Sequence, residues 1–168
     1  MPTVAHVEPR TELGERYAAL AEEIDAVLEG ESHLIARMAT VAAMLAAAFD
    51  HYSWTGFYLV DRSRPDQLVI GPYQGSLGCL RIDFDRGVCG AAARDRKTVI
   101  VADVDAFPGH IACDAAARSE IVTPVLDAAG DLIAVLDVDS TRLAAFSQID
   151  GAGLEAIVAR VFARSTAL

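Results

Sequence analysis

Two pairs of short apolar runs, each pair joined by a polar turn, restrict this chain to an antiparallel sheet. Residues 52–60 and 67–73 are rich in aromatic and β-branched side chains and flank the polar, Pro65-containing stretch 61–66. Residues 120–126 and 132–139 repeat the arrangement across Asp127-Ala-Ala-Gly130. Turns this short can join only antiparallel neighbours, because parallel strands need a crossover of about a dozen residues or more.

Helical patterns surround these hairpins. Over 10–29 the residues Leu13, Tyr17, Leu20, Ile24 and Leu28 recur at three- and four-residue spacing and form one apolar stripe, which Gly30 ends. Ser32 is the expected N-cap of a second, Ala-rich helix that runs through Leu34, Met38, Val41 and Leu45 to Phe49 and shares a layer with the first. A closing helix over 148–163 carries Ile149, Leu154, Ile157, Val158 and Val161. Between the hairpins the pattern predicts a short strand at 80–84, a helix from Gly87 or Val88 to Arg96, a strand at 98–101 and an irregular segment at 103–118. The expectation is an α+β domain: an antiparallel sheet with the N- and C-terminal helices on one face and a loop-built pocket on the other. With no linker or repeat, it is read as a single domain over 1–168 with a flexible start at 1–9.

Charge and cysteine content narrow the function. A net charge of −10 repels phosphate backbones, so no nucleic acid partner is expected, while the carboxylates suit a cation such as an amino acid's ammonium group. His33, Arg37 and Asp50 bracket and interrupt the Ala-rich stretch 38–49, which falls short of the ~18–20 apolar residues of a span; no membrane association is expected. The first thirty residues carry Glu8, Glu12, Glu15, Glu22, Glu23 and Asp25 in place of a basic start, and the cysteine count of three is odd. Both point to a reducing cytoplasm, where a disulfide would be transient and catalytic.

The three thiols are where chemistry is expected. Cys113 follows Phe107-Pro-Gly-His110 in a segment without periodicity; it is either a loop nucleophile oriented by the imidazole or a small buried hydrophobe. Cys79, in Gly75-Ser-Leu-Gly78-Cys79, is either a mobile partner for it or an inert loop residue. Cys89 sits near a helix start, where the dipole would depress its pKa, among residues that look like packing. Their spacing fits no paired zinc pattern, and neither metal nor bound cofactor is expected. Glu120 opens an apolar strand and is either a surface edge residue or a buried acid in need of a partner. Asp137 and Asp139, two apart on a strand, leave one face with Ile133 and Val135, and point into a pocket unless they merely end the strand. Trp54, Tyr58 and Tyr73 offer an aromatic wall for a thioether or sulfoxide methyl group, or ordinary sheet core.

The blocks Trp54-Thr-Gly-Phe-Tyr58, Gly71-Pro-Tyr-Gln-Gly75, Arg86-Gly-Val-Cys-Gly90, Ala106-Phe-Pro-Gly-His-Ile-Ala-Cys-Asp114, Arg118-Ser-Glu-Ile121 and Leu136-Asp-Val-Asp-Ser140 occur in an order that resembles the free methionine-(R)-sulfoxide reductases of the GAF-domain superfamily. The resemblance implies a GAF-like sheet of about six strands, a homodimer and a nearly closed pocket for one free amino acid. It implies Cys113 as attacking thiol, Cys79 as resolving thiol and Cys89 as auxiliary, with Glu120, Asp137 and Asp139 at acidic substrate-binding positions. Free methionine-(R)-sulfoxide is then the substrate, Glu120 the expected proton donor, and thioredoxin or a similar dithiol the external reductant. The competing expectations are a ligand-binding GAF sensor module, whose chain would normally continue into an output domain, and a thiol redox sensor without sulfoxide turnover.

Overall fold

The computed structural model describes residues 10–111, 113 and 115–164. The expected flexible start at 1–9 lies outside them, as do Ala112 and Asp114 of the central motif. In chain order the elements are α1 (Arg10–Val27), α2 (Leu34–Ala48), β1 (Trp54–Asp61), β2 (Arg64–Gln74), β3 (Arg81–Asp83), α3 (Gly87–Asp95), β4 (Val99–Val101), a 3-10 turn (Val104–Ala106), β5 (Ser119–Leu126), β6 (Leu132–Ser140) and α4 (Gln148–Phe162). The strands form one antiparallel sheet in the order β3-β2-β1-β6-β5-β4. Each predicted hairpin is present, and the last strand in sequence is inserted between the first hairpin and β5.

Alternation along the strands sends Phe57, Ile121, Leu136 and Val138 to one face of the sheet and Tyr58, Val122 and Val135 to the other. On the first face α2 crosses β1 and β2, while α4 covers β5. The expected single layer for the first two helices is only partly found, because α1 packs chiefly on α4 rather than beside α2. All three helices share one core in which Met38, Leu45, Phe57, Leu136, Ile157 and Phe162 are inaccessible to solvent. Each such side chain contributes about 1.5–3 kcal/mol on burial. Among the described residues, no helix is long and apolar enough to cross a membrane.

The helix ends follow local chemistry. Gly30, at φ +79°, lets the chain leave α1 in a left-handed conformation. Ser32 is not the N-cap of α2: His33 holds that position without a side-chain cap, and the Glu31 carboxylate accepts from the His33 amide at 2.6 Å. That bond is made to the cap residue's own amide and satisfies none of the free amides of the first helical turn, so α2 starts without a side-chain cap. At α4 the capping box is complete, with the Asp150 carboxylate accepting from the Ser147 amide at 2.7 Å and the Ser147 hydroxyl accepting from Ile149 at 3.2 Å.

The same Asp150 accepts a hydrogen bond from the buried Tyr17 hydroxyl at 2.9 Å, and the Tyr17 hydroxyl also meets that of Tyr52. One carboxylate thus ties the cap of α4 to α1 and to the segment leading into β1. Close approach of α1 to α4 requires Gly153, where a Cβ would stand 2.3 Å from Tyr17 Cγ. Gly153→Ala should lower stability by about 1–3 kcal/mol through displacement of that ring, despite a helix-propensity gain of up to about 1 kcal/mol. An unchanged urea midpoint would show that Tyr17 can shift freely.

Candidate functional site

The second face of the sheet is covered by α3 and the loops of 75–80 and 107–118, and there the register assembles a cluster of acids. Glu120 of β5 lies opposite Asp139 of β6, which in turn faces Trp54 of β1; one step along, Asp137 lies between Val122 and Gly56. Glu120 and Asp137 are only 6% and 5% exposed, and Asp139 is half-buried. Glu120 is therefore not a surface edge residue, nor is Asp137 solvated. Ile133 does not join them: β5 pairs Val125 with Ala134 and Leu126 with Leu132, so Ile133 is an extra residue in a bulge and turns to the helix-side core.

Cys89, in the first turn of α3, is buried and is the free thiol of the structure. Its sulfur donates toward Glu120 Oε1 at 3.9 Å, and single donor atoms of Cys89, Glu120 and Asp137 all lie within 4.8 Å of one another. His110 Nε2 approaches the other Glu120 oxygen at 3.7 Å, so the imidazole faces the carboxyl group and not only the thiol segment that contains it. Asp137 Oδ1 is buried without a hydrogen-bond partner among the described residues.

Electrostatics follow from this crowding. Burial, then the charges of Asp137 and Asp139, push the Glu120 carboxyl well above the usual carboxylate range, and burial likewise raises Asp137. The two sit too close for both to ionise readily at neutral pH, so a protonated carboxyl is available in the site. Cys89 is raised as well, first by burial and then by the three acids. The depressed thiol expected from a helix N-terminus is overruled, since a partial dipole charge cannot offset desolvation beside carboxylates.

Cys79 and Cys113 form a disulfide with Cα atoms 5.2 Å apart. Their two loops are positioned separately. The indole of Trp54 stacks between Tyr58 and Tyr73, with centroids 5.6 and 5.2 Å away, and its Nε1 donates to the Ser76 carbonyl at 3.0 Å. Gly78 lies so near this wall that a Cβ would come within 2.9 Å of the Tyr58 hydroxyl and 3.0 Å of the indole. On the other side the Gly109 carbonyl, in a turn at φ +73°, accepts from the Gly87 amide at 3.1 Å and fixes the Cys113 segment to the start of α3.

The Cys113 side of the disulfide and the start of α3 border a cavity of about 30 Å³, lined by Cys89, His110, Cys113, Glu120, Asp137 and Asp139 together with Ile82, Ile111 and other apolar groups; no residue of the Cys79 loop lines it. Trp54, Tyr58 and Tyr73 do not line it; they carry the Cys79 loop. Tyr58 still senses the acids, because its hydroxyl is raised by burial and then by Asp137, Cys89, Asp139 and Glu120. Two contacts had no linear signal: the His110–Glu120 approach and the Trp54–Ser76 bond join residues far apart in the chain. Gly75 and Gly78, on either side of Ser76, were the visible hint that backbone comes close to something there.

A thiol pair closing a pocket over buried acids, on the face of a six-stranded antiparallel sheet opposite its long helices, defines a class that comparison identifies. The family model described as GAF domain matches residues 19–161, and the chain belongs to the GAF-domain family. It is 48% identical over 136 residues, 81% of this chain and 84% of the relative, to GAF domain-containing protein A of Dictyostelium discoideum. It is 42% identical over 147 residues, 88% of this chain and 87% of the relative, to the free methionine-R-sulfoxide reductase of Escherichia coli. An X-ray structure of the free methionine-R-sulfoxide reductase of Neisseria meningitidis in complex with its substrate superimposes with a TM-score of 0.83 at 44% identity, covering 88% of this chain and 87% of that one. Within the GAF family the chain belongs with the free methionine-R-sulfoxide reductases.

The raised carboxyls have a consequence for stability. Glu120 and Asp137 hold protons more tightly in the folded chain than in the unfolded one, where they titrate near about 4. The folded state therefore binds extra protons between that pH and its own raised pKa values, and stability falls as pH rises through the interval. Glu120→Gln should reduce the loss between pH 5 and pH 8 by about 1 kcal/mol or more, as read from urea midpoints of the disulfide form. Equal losses in the two proteins would mean that Glu120 titrates as an ordinary carboxyl.

Proposed function

We propose that this chain reduces free L-methionine-(R)-sulfoxide to methionine, with Cys113 as nucleophile and Cys79 as resolving thiol. The observation that carries the reading is the Cys79–Cys113 disulfide, whose Cys113 half lines one pocket with Glu120, Asp137 and Asp139. The Cys113 thiolate attacks the sulfoxide sulfur while a protonated carboxyl, Glu120 in the first instance, delivers a proton to the sulfoxide oxygen as the S–O bond breaks. Oxygen passes to Cys113, methionine leaves and a sulfenic acid remains. Attack by the Cys79 thiol then releases water and forms the disulfide, which an external dithiol reduces by exchange. Asp137 and Asp139 are suited to receive the substrate ammonium; Cys89 serves as an auxiliary thiol beside Glu120.

The aromatic residues Trp54, Tyr58 and Tyr73 act in this reading on the loop as well as on the substrate's methyl end. A cavity of about 30 Å³ has room for roughly one water and not for an amino acid. The site must widen to bind substrate, and the Cys79 loop is the part that disulfide reduction frees. Its bond to Cys113, which lines the pocket, supports selection of a free amino acid over a peptide-bound residue, since a chain continuing from the substrate past Cys113 would meet this loop. A homodimer and a cytoplasmic setting belong to the same reading, the second supported by the need for a supply of dithiol.

The reductant we assign is a protein dithiol of the thioredoxin type. Leu77 and Leu80, on either side of Cys79, are 83% and 73% exposed, more than any other large hydrophobic side chain described. An apolar collar around a half-buried disulfide favours a protein partner that can cover it over a small reagent that needs only the sulfur.

The activity test supplies each sulfoxide epimer, free and within a peptide, with a dithiol and measures methionine release; the free R epimer alone should turn over. Cys113→Ser should abolish even a first turnover, Cys79→Ser should release one equivalent and stall, and Glu120→Gln should slow the single-turnover rate by about 10²-fold or more. A first equivalent from Cys113→Ser would remove it as nucleophile. A combined Leu77→Ser, Leu80→Ser variant should lower the rate of disulfide reduction by thioredoxin about tenfold, an interface loss of ~1.4 kcal/mol, and leave reduction by dithiothreitol unchanged. A parallel fall with both reductants would remove the collar from partner recognition.

A further inference from the structure

Cys89, Glu120 and Asp137 bring a sulfur and two carboxylate oxygens to one small buried space, with an imidazole nitrogen at its margin. Tetrahedral coordination at the bond lengths usual for zinc, about 2.0–2.3 Å, separates neighbouring donor atoms by about 3.3–3.8 Å. The Cys89 sulfur stands 3.9 Å from Glu120 Oε1 and His110 Nε2 stands 3.7 Å from Glu120 Oε2, while Cys89, Glu120 and Asp137 have donor atoms mutually within 4.8 Å. Small rotations of side chains would bring these three into range, while His110 stands outside the group and faces it through Glu120.

A second and independent observation points to a ligand. Asp137 is 5% exposed and lines the cavity, yet its Oδ1 has no hydrogen-bond partner among the described residues. A buried carboxylate oxygen without a partner is costly, and a cation is the group that would complement it. The cavity of about 30 Å³ is sized for a single small ion.

We propose that the disulfide form of this protein binds one divalent cation of the zinc class through the Cys89 sulfur and the Glu120 and Asp137 carboxylates. On binding, the Cys89 S–H bond and the O–H bond retained on the Glu120–Asp137 pair break, the sulfur–metal and oxygen–metal bonds form, and both protons leave to solvent. A thiolate among the donors selects a borderline metal; magnesium and calcium require shells of oxygen that this space does not offer. The cation occupies the space that an amino acid's ammonium group would need, so it is a competing ligand and not a cofactor. The cation site itself stands on geometry; only its competition with an ammonium group rests on the reductase reading.

The disulfide makes the test specific, because Cys89 is then the free thiol. Co²⁺ titrated into the unmodified disulfide form should produce a thiolate-to-metal charge-transfer band that saturates at one equivalent. Zn²⁺ should displace it, and a roughly hundredfold excess of Mg²⁺ should not. Asp137→Asn, or Glu120→Gln if the first variant does not fold, should weaken Co²⁺ binding about ten- to a hundredfold. No band in the unmodified protein would overturn the proposal. A band whose strength is unaffected by loss of either carboxylate would overturn the ligand set, and activity assays run without metal would report separately on the reductase reading.

Discussion

The insertion of β6 between β1 and β5 forces three carboxyl groups and a thiol into neighbouring positions that no local segment could create. Antiparallel register sets Asp139 beside Glu120 and Trp54, and the period of two along β6 carries Asp137 to the same face. Helix α3 then lays Cys89 over them. Burial of like charges at this separation would be prohibitive if all were ionised, so protons are retained and the acids become donors. The acid chemistry of the site is thus a consequence of strand order before it is a property of any residue.

Such a polar face needs a strong apolar one behind it. The helix side of the same three strands presents Phe57, Ile121, Leu136 and Val138 to a continuous core built by α1, α2 and α4. Asp150 orders that layer: it caps α4 and accepts from Tyr17, so the helices and the segment entering β1 meet at a single carboxylate. That core backs β1, β6 and β5, which form the floor of the pocket.

The roof consists of two loops with different anchors joined by one covalent bond. The Cys113 segment is tied to α3 through Gly109 and Gly87, whereas the Cys79 loop rests on the Trp54 ring and is held by the Ser76 carbonyl. A disulfide between them can form only while both are seated, which couples the redox state of the thiols to the space above the acids. Trp54 therefore belongs to the site by supporting the loop, and its stacking on Tyr58 and Tyr73 explains why this wall is aromatic throughout.

Much of this was written in the linear pattern. The stripe from Leu13 to Leu28, the alternation along 52–60 and 132–139, and the turn signals between strands specified helices and hairpins because period and turn chemistry act over a few residues, although the first turn is shorter than the expected 61–66, since Asp61 ends β1 and Arg64 already begins β2. The motif blocks also identified the three thiols and three acids. Tertiary structure alone decided that α1 would lie on α4, that Ile133 would bulge to the opposite face, and that α2 would start after His33 without a side-chain cap from Ser32. It also decided that His110 would face Glu120 and that the Cys89 thiol would be raised and not lowered. The division has one physical reason: hydrophobic period and turn preference are local and survive in the bare chain, whereas the cost of charge and the meeting of side chains depend on what the folded chain brings alongside.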